Sequence, residues 1–316
     1  MHIRSTPILF AGLSSQQLMA AYVLIDDYGH GNGFFNKFNF FTGEDPTHGF
    51  VDYVSRNVAQ GAGLLGERGD RVYMGVDYTN PAGSRGRRSV RLESKNTYEH
   101  GLVVIDLAHM PGSVCGTWPA FWALGTADWP FGGEIDIIEG VNDNSFNHMI
   151  LHTSDGCTIN DGGFTGNLRT SNCYIYAPGQ NANAGCGIEA TNPDSYGRGF
   201  NSLGGGIYAT DLTSNGISIW FFPRGSELRV LGDNPNPANW GTPAAKFAGG
   251  SCDFESKFNG QRLIFDITFC GDWAGSVWGI GGCASRAGNC NDFVQDNPSA
   301  FTESYWLINS LKVYPG

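Results

Sequence analysis

One stretch of the chain reads Gly132-Gly133-Glu134-Ile135-Asp136-Ile137-Ile138-Glu139-Gly140, which places three carboxylates and three isoleucines between glycines. β-Branched isoleucine favours a strand, and the flanking glycines mark its ends. Because side chains alternate along a strand, Glu134 and Asp136 share one face and the intervening isoleucines take the other. Strict alternation would put Glu139 on the apolar face, where burial of a lone carboxylate is unfavourable. One extra residue, a β-bulge at Ile137-Ile138, returns all three acids to one side.

The spacing of the two glutamates has a chemical consequence. Discounting the bulge, Glu134 and Glu139 lie four strand steps apart, about 13 Å between their Cα atoms. Each side chain reaches roughly 4 Å from its Cα. Leaning toward each other over Asp136, the two carboxyl groups come within about 5 Å, the separation of the acid pair in a retaining glycosidase. The alternative from the pattern alone is a charged, solvent-facing edge strand.

Composition and charge narrow the possible classes. The chain has 316 residues, 46 glycines and a charged fraction of 16%, so many tight turns and few long helices are expected. The net charge of −11 argues against nucleic acid and anionic membranes as partners, because both need a basic surface. No apolar run reaches the length that spans a bilayer.

The cysteines point to an oxidising compartment. Their number is even, and their spacings match no C-x-x-C pair and no common zinc pattern. We therefore predict a secreted protein with up to four disulfides, the alternative being free buried thiols. The pairing stays open, because eight cysteines allow about a hundred connectivities. The cysteines are Cys115, Cys157, Cys173, Cys186, Cys252, Cys270, Cys283 and Cys290.

The first twenty residues resemble a signal peptide only in part. His2 and Arg4 offer a weakly basic start, but the apolar run that follows is short and Ser14 interrupts it. A truncated signal peptide and an unrelated leader both fit residues 1–20. We expect residues 21–316 to form a single domain.

From residue 21 onward, short apolar or alternating runs are separated by Gly, Pro, Asn and Asp. Helical periodicity is weak, with one turn expected at 290–295, and residues 155–206 are expected to form loops. Many short strands without an internal repeat or a linker predict an all-β sandwich. The strands are predicted at 71–77, 89–94, 101–108, 118–124, 134–139, 146–153, 207–212, 216–222, 262–269 and 305–314.

The acid stretch also matches the E-x-D-x-x-E signature of glycoside hydrolase family 16, in the bulged form of its laminarinase-like members. The resemblance covers residues 21–316, and the chain is similar to the secreted fungal endo-β-1,3-glucanases of that family. It implies a β-jelly-roll sandwich, concanavalin A-like, with a concave substrate cleft in a secreted, monomeric catalytic domain. The further blocks that carry it follow the family order and are Cys115-Gly116-Thr117-Trp118-Pro119-Ala120-Phe121-Trp122, Asp128-Trp129-Pro130, Trp220-Phe221-Phe222-Pro223-Arg224, Phe269-Cys270-Gly271-Asp272-Trp273-Ala274-Gly275 and Asn297-Pro298-Ser299-Ala300-Phe301.

The resemblance also implies different roles for the two glutamates, which their spacing alone does not distinguish. In the family motif the first glutamate attacks and the last protonates, so Glu134 is the expected nucleophile and Glu139 the expected general acid/base. Asp136 is expected to keep Glu139 protonated through its like charge and to orient Glu134. The implied reaction is endo-acting hydrolysis of β-1,3-glucans such as laminarin with net retention, extending to mixed β-1,3/1,4-glucans.

Four tryptophans are candidates for contacts with the sugar. Pyranose C–H faces pack on aromatic planes, and an indole N–H donates to hydroxyls. By resemblance Trp122, Trp129 and Trp273 are favoured as cleft residues, and Trp118 is retained because it precedes the acid strand closely. Ordinary core packing is the alternative for each of them.

His152 and Arg91 match family positions beside the cleaved bond and at sugar hydroxyls, and a structural role is the alternative for both. His148 and His152 have a metal-like spacing for a helix, but a strand and the lack of a third ligand argue against zinc. We expect no metal and no cofactor, and the sequence identifies no ligands for the structural Ca²⁺ that some relatives carry. Asp272 and Arg224 are expected to form structural ion pairs.

Two other functions share this scaffold. Non-catalytic β-glucan-binding lectins occur among relatives, but these generally lack the catalytic glutamates that this chain keeps. A glucan transglycosylase shares the covalent intermediate and differs only in whether a sugar or water accepts the glycosyl group. The sequence does not separate a transglycosylase from a hydrolase.

Overall fold

A computed structural model describes residues 23–226 and 235–314. The leader predicted at residues 1–20 lies outside the described residues. Strands dominate the described chain, as the composition predicts. They are β1 (Asp26–Asp27), β2 (Phe38–Phe41), β3 (Val51–Tyr53), β4 (Leu65–Arg68), β5 (Arg71–Gly75), β6 (Arg87–Ser89), β7 (Arg91–Ser94), β8 (Gly101–His109), β9 (Thr117–Leu124), β10 (Glu134–Glu139), β11 (His148–His152), β12 (Asn167–Leu168), β13 (Cys186–Glu189), β14 (Gly206–Thr213), β15 (Gly216–Pro223), β16 (Ala245–Ala248), β17 (Arg262–Phe269) and β18 (Tyr305–Tyr314).

The helical elements are short and sit in the connections. The last α-helix is seven residues long, which exceeds the single turn expected there. Its first turn is capped by Asn289, whose side chain accepts a hydrogen bond from the backbone of Asp292. The α-helices are α1 (Gly31–Asn36), α2 (Arg56–Gly61), α3 (Gly197–Ser202), α4 (Phe254–Lys257) and α5 (Cys290–Asp296). A π-helical turn covers Gly271–Gly275, and 3-10 turns cover Pro237–Asn239, Gly282–Ser285 and Pro298–Phe301.

Two antiparallel sheets form the body of the molecule. The first sheet contains the strand with the three acids, β10, and is called the acid-strand sheet. Its strand order is β12-β13-β11-β10-β9-β17-β7-β2. The back sheet has the order β16-β15-β14-β8-β18-β5-β4, and β1 also pairs with β18. A short parallel pair, β3-β6, lies outside both sheets. The predicted all-β architecture is confirmed.

The core lies between the two sheets because their strands alternate apolar and polar residues. On the acid-strand sheet, Phe121 and Phe265 have ring centroids 4.5 Å apart. Phe265 in turn meets Trp306 of the back sheet edge-on at 5.7 Å. Each of these three side chains is fully buried. The opposite face of the acid-strand sheet is thereby left free to carry polar side chains.

Two predictions about local structure are wrong, both because pairing partners are distant in sequence. The strand expected at 89–94 is two strands: β6 pairs with β3, whereas β7 pairs with β17 and β2. The region 155–206, expected to be loop, contains α3 and the sheet strand β13. Strand β13 pairs with β11 over four residues, from His148↔Glu189 to Leu151↔Cys186.

All eight cysteines are paired, as predicted for an oxidising compartment. Two of the bridges join residues far apart in sequence, with separations of 168 and 95. The other two close short loops beside the acid-strand sheet, with separations of 13 and 20. The pairs are Cys115–Cys283, Cys157–Cys252, Cys173–Cys186 and Cys270–Cys290. In the described part of the chain, no helix is both long and apolar enough to cross a membrane.

Candidate active site

The acid strand β10 lies between β9 and β11 and carries the predicted bulge. Glu134 and Asp136 pair regularly with β9, opposite Leu124 and Trp122. The register then shifts between Asp136 and Ile138, and Glu139 pairs with Ala120. The bulge is therefore confirmed, and it brings all three acids to the same side of the sheet, where they line one cleft.

The cleft has a volume of about 530 Å³ and runs across the exposed face of the acid-strand sheet. Most of the residues singled out from the sequence meet in it, although they come from four separate segments of the chain. Those that line it are Arg91, Trp118, Trp122, Trp129, Glu134, Asp136 and Glu139.

Each glutamate receives a hydrogen bond from a tryptophan. The indole Nε1 of Trp129 donates to Glu134 Oε2 at 2.8 Å. The indole Nε1 of Trp118 donates to Glu139 Oε1, also at 2.8 Å. These bonds fix the orientation of both carboxyl groups, and they favour the ionised form of the group that accepts them.

Asp136 lies between the two glutamates on β10, whereas the buried His152 lies opposite Glu134 on β11 and is not among the residues that line the cleft. His152 Nε2 lies 3.4 Å from Asp136 Oδ2 and 3.9 Å from Glu134 Oε1. Only 2% of Asp136 is exposed, and its Oδ2 has no hydrogen-bond partner among the described residues. When Asp136 is ionised, this oxygen acts on both glutamates through its charge.

Burial and crowding raise the pKa values of all three acids. Burial raises the pKa of Glu134 to about 7, with a further contribution from Asp136, while His152 and the Trp129 hydrogen bond oppose the shift. Burial, and next the charge of Asp136, raise the pKa of Glu139 well above its usual range. Burial raises the pKa of Asp136 as well, aided by Asp266. Such a group of acids retains a proton near neutral pH, as a general acid requires.

A family model described as the XgeA-like, catalytic domain of glycoside hydrolase family 16 matches residues 38–314. The chain belongs to glycoside hydrolase family 16. It is an enzyme of that family, so the lectin alternative is not supported. The jelly-roll form of its sandwich follows from solved structures of the family, whose fold it shares.

Three relatives illustrate the similarity of this family 16 enzyme to known proteins. An endo-1,3(4)-β-glucanase of Arthroderma benhamiae is 46% identical over 99% of this chain and 69% of its own length. Laminarinase 16A of Phanerochaete chrysosporium, solved with β-glucans in its donor and acceptor sites, is 42% identical with a TM-score of 0.86, covering 93% of this chain and 100% of that one. An elongating family 16 β-1,3-glucosyltransferase is 46% identical with a TM-score of 0.84, at the same coverage.

Arg91 and Trp122 form a second polar group in the cleft of the family 16 enzyme. The Arg91 guanidinium lies 5.0 Å from the Trp122 ring centroid and pairs with Glu93 Oε1 at 2.9 Å. Trp122 Nε1 donates to Asp266 Oδ2 at 3.0 Å. The predicted sugar-binding positions 91 and 122 are therefore held together by a network of their own.

Asp266 is a cleft residue that the sequence analysis missed. It lies on β17, which pairs with β9 on the side away from the acid strand. Burial raises its pKa to about 7, and the nearby Arg91 opposes that shift. A carboxylate in the otherwise apolar run Leu263-Ile264-Phe265-Asp266-Ile267 was the signal that could have identified it.

Most of the other missed residues that line the cleft come from two loops. Their sequences are polar and irregular, and nothing in them indicates proximity to the acid strand. The first loop contributes Asp45, Pro46, Thr47 and His48, and the second contributes Ile175, Tyr176, Ala182 and Asn183.

Trp273 lies beside the cleft and is not among the residues that line it. Its ring packs edge-on against Trp118 at 5.7 Å and against His148 at 5.5 Å.

The two predicted ion-pair residues both have partners. Asp272 lines the cleft, and its Oδ2 lies 2.9 Å from His48 Nδ1. Asp272 therefore has a basic partner, as expected, and the two form an ion pair when His48 is protonated. Arg224 also forms its expected pair, with Asp106 at 2.6 Å.

One cluster has the composition of a metal site. Glu134, Asp136 and His152 each offer a ligand atom, and these atoms lie within 4.8 Å of one another. His148 is outside this cluster: its Nε2 lies 2.8 Å from the side-chain nitrogen of Asn144. The paired histidine zinc site that the spacing of residues 148 and 152 suggests is therefore not formed. That the enzyme needs no metal stays a prediction.

Proposed function

We propose that this enzyme cleaves β-1,3-glucans internally with retention of anomeric configuration, and that it also accepts mixed β-1,3/1,4-glucans. The observation that carries the proposal is the pair of glutamates on one bulged strand, each held by an indole N–H in a single open cleft. The names of the relatives support the substrate class, since they include an endo-1,3(4)-β-glucanase and a laminarinase.

In the proposed mechanism Glu139 donates its proton to the glycosidic oxygen as the bond to the anomeric carbon breaks. Glu134 attacks that carbon, and its carboxylate forms a glycosyl ester with inversion. The ionised Glu139 then removes a proton from water, whose oxygen attacks the same carbon and releases Glu134. Two inversions give net retention, and both acids return to their starting states.

The remaining cleft residues bind the sugar in this proposal. Trp118, Trp122 and Trp129 offer aromatic surface beside their hydrogen bonds, and Arg91 and His152 offer donors to hydroxyl groups. Trp273 acts through its edge contact with Trp118. We further propose that the enzyme is secreted, since four disulfides are typical of extracellular proteins. We also propose that it is a monomer and that it needs no cofactor.

Asp136→Asn is expected to move the whole pH profile of kcat/KM toward acid. Asp136 raises the pKa values of both glutamates, so its neutral replacement lowers both. Glu134 must be ionised, and the acid limb therefore moves to lower pH. Glu139 must be protonated, and the alkaline limb therefore moves the same way. Initial rates on laminarin from acid to alkaline pH test this, and limbs that stay in place would mean that Asp136 carries no charge in the working range.

A transglycosylase is the second candidate, because a structure that is 46% identical belongs to an elongating β-1,3-glucosyltransferase. Incubation with laminarin, followed by product sizing and NMR of the first reducing ends, separates the candidates. Short products that appear first as β-anomers support endo-cleavage with retention. Products longer than the substrate support transglycosylation, and α-anomers first would overturn the retaining mechanism.

A further inference from the structure

The loop between Cys173 and Cys186 presents an aromatic ring at the rim of the cleft. Its Tyr176 lines the cleft, yet this residue is 67% exposed. Asn183 from the same loop also lines the cleft. A tyrosine at the edge of a binding cleft can offer its ring face to the C–H face of a sugar and its hydroxyl to the sugar hydroxyl groups.

The loop is held in one shape before any ligand binds. The Cys173–Cys186 disulfide closes it. Gln180 spans its interior: its Nε2 donates to the carbonyls of Asn172 and Gly185 at 2.8 and 2.9 Å, and its Oε1 accepts from the Asn172 backbone at 3.1 Å. Because the loop is ordered in advance, binding there loses little conformational entropy.

Neighbouring residues fix the direction in which the loop displays Tyr176. Ile175 and Ala177, on either side, are buried and anchor the backbone. The ring of Tyr174 packs edge-on against Tyr176 with centroids 5.8 Å apart. The ring is thus supported on one side and open to the cleft on the other.

The base of the loop adjoins His152, which neighbours Glu134 and Asp136. Gly185 has φ +60°, and a Cβ there would come within 2.4 Å of the Leu151 carbonyl oxygen and 2.9 Å of His152 Nδ1. His152 in turn lies 3.9 Å from Glu134. The loop therefore holds Tyr176 at a fixed position relative to the Glu134 end of the acid strand.

We propose that Tyr176 and Asn183 form a distal sugar subsite, in which the Tyr176 ring stacks on one glucosyl unit and the Asn183 amide bonds its hydroxyl groups. This rests on the proposed function, because it assumes that the cleft binds a β-glucan. The subsite makes the enzyme selective for chain length: only oligosaccharides long enough to reach Tyr176 gain its binding energy.

The test compares kcat/KM on a ladder of β-1,3-linked gluco-oligosaccharides for the wild-type enzyme, Tyr176→Ala and Tyr176→Phe. For the longer substrates we expect Tyr176→Ala to lose about tenfold, equivalent to one good aromatic contact. The shortest substrates should be cleaved as by the wild type, and Tyr176→Phe should keep the wild-type profile because it keeps the ring. Tyr78→Ala is the matched control, since Tyr78 is exposed but lies outside the cleft.

Each outcome decides a specific claim. A wild-type ladder profile in Tyr176→Ala, or an equal loss at every length, overturns the subsite while the proposed function stands. No cleavage of any β-1,3-glucan by the wild type overturns the proposed function, and the subsite with it. Calorimetric binding of the same ladder to Glu134→Gln with and without Tyr176→Ala gives a second readout that does not depend on turnover.

Discussion

Glu134→Gln is expected to lower kcat on laminarin by about three orders of magnitude or more, and Glu139→Gln is expected to do so on substrates that need protonation of the leaving group. The first variant removes the atom that forms the glycosyl ester, and the second removes the transferable proton. Both amides can still accept the indole hydrogen bonds from Trp129 and Trp118. Initial rates with laminarin measure the loss, and a near-native rate for Glu134→Gln would contradict its assignment as nucleophile.

Azide separates the two roles, which the near-symmetric geometry does not. In Glu134→Ala, azide attacks from the face that the carboxylate has vacated and gives an α-glycosyl azide. In Glu139→Ala, azide attacks the glycosyl-enzyme on Glu134 and gives a β-glycosyl azide. The anomeric configuration by NMR assigns each residue, and the opposite pair of products would exchange the roles.

Unfolding does not explain the expected loss of activity. Burial holds the pKa of Glu134 at about 7, above its value in the unfolded chain, so its ionisation disfavours folding as the pH rises through that range. The neutral glutamine removes this penalty, and the variant should melt at no lower temperature than the wild type near pH 7. Glu255→Gln is the control, because Glu255 is an exposed acid outside the cleft that pairs with His100.

Removal of the Cys115–Cys283 bridge is expected to cause a large loss of stability. Cys115 and Cys283 are 168 residues apart in sequence. In the unfolded chain, the Cys157–Cys252 bridge shortens the loop that the Cys115–Cys283 bridge closes. Loop-closure entropy then predicts a cost of about 4–5 kcal/mol for Cys115→Ser with Cys283→Ser. Denaturant unfolding of the double variant measures that cost.

The Cys173–Cys186 bridge provides the comparison. It closes a loop with a separation of only 13 residues, so Cys173→Ser with Cys186→Ser should cost about 3 kcal/mol. If this variant were destabilised as much as the first, loop length would not be the controlling variable. A native cleavage pattern with unchanged length selectivity would show in addition that hydrogen bonds alone suffice to position Tyr176.

The sequence by itself determined the structural features that depend on short-range rules. Alternation along one strand predicted which face the acids occupy, and the cost of burying Glu139 among isoleucines predicted the bulge that the register shift confirms. Alternating apolar runs likewise located most of the strands. Composition and an even number of cysteines predicted the disulfides. This was possible because the formation of disulfides depends on whether the protein resides in an oxidising compartment more than on its fold.

Only the tertiary structure decided which distant segments meet. The sequence left the cysteine pairing open, expected loop where β13 joins the sheet, and favoured Trp273 as a cleft residue where Trp118 is the ring that contacts Glu139. Asp266 and Tyr176 reach the cleft from strands and loops far from the acid strand in sequence. The physical reason is that sheet pairing and loop docking bring such residues together through contacts between segments, and no local pattern in the sequence records which segments those are.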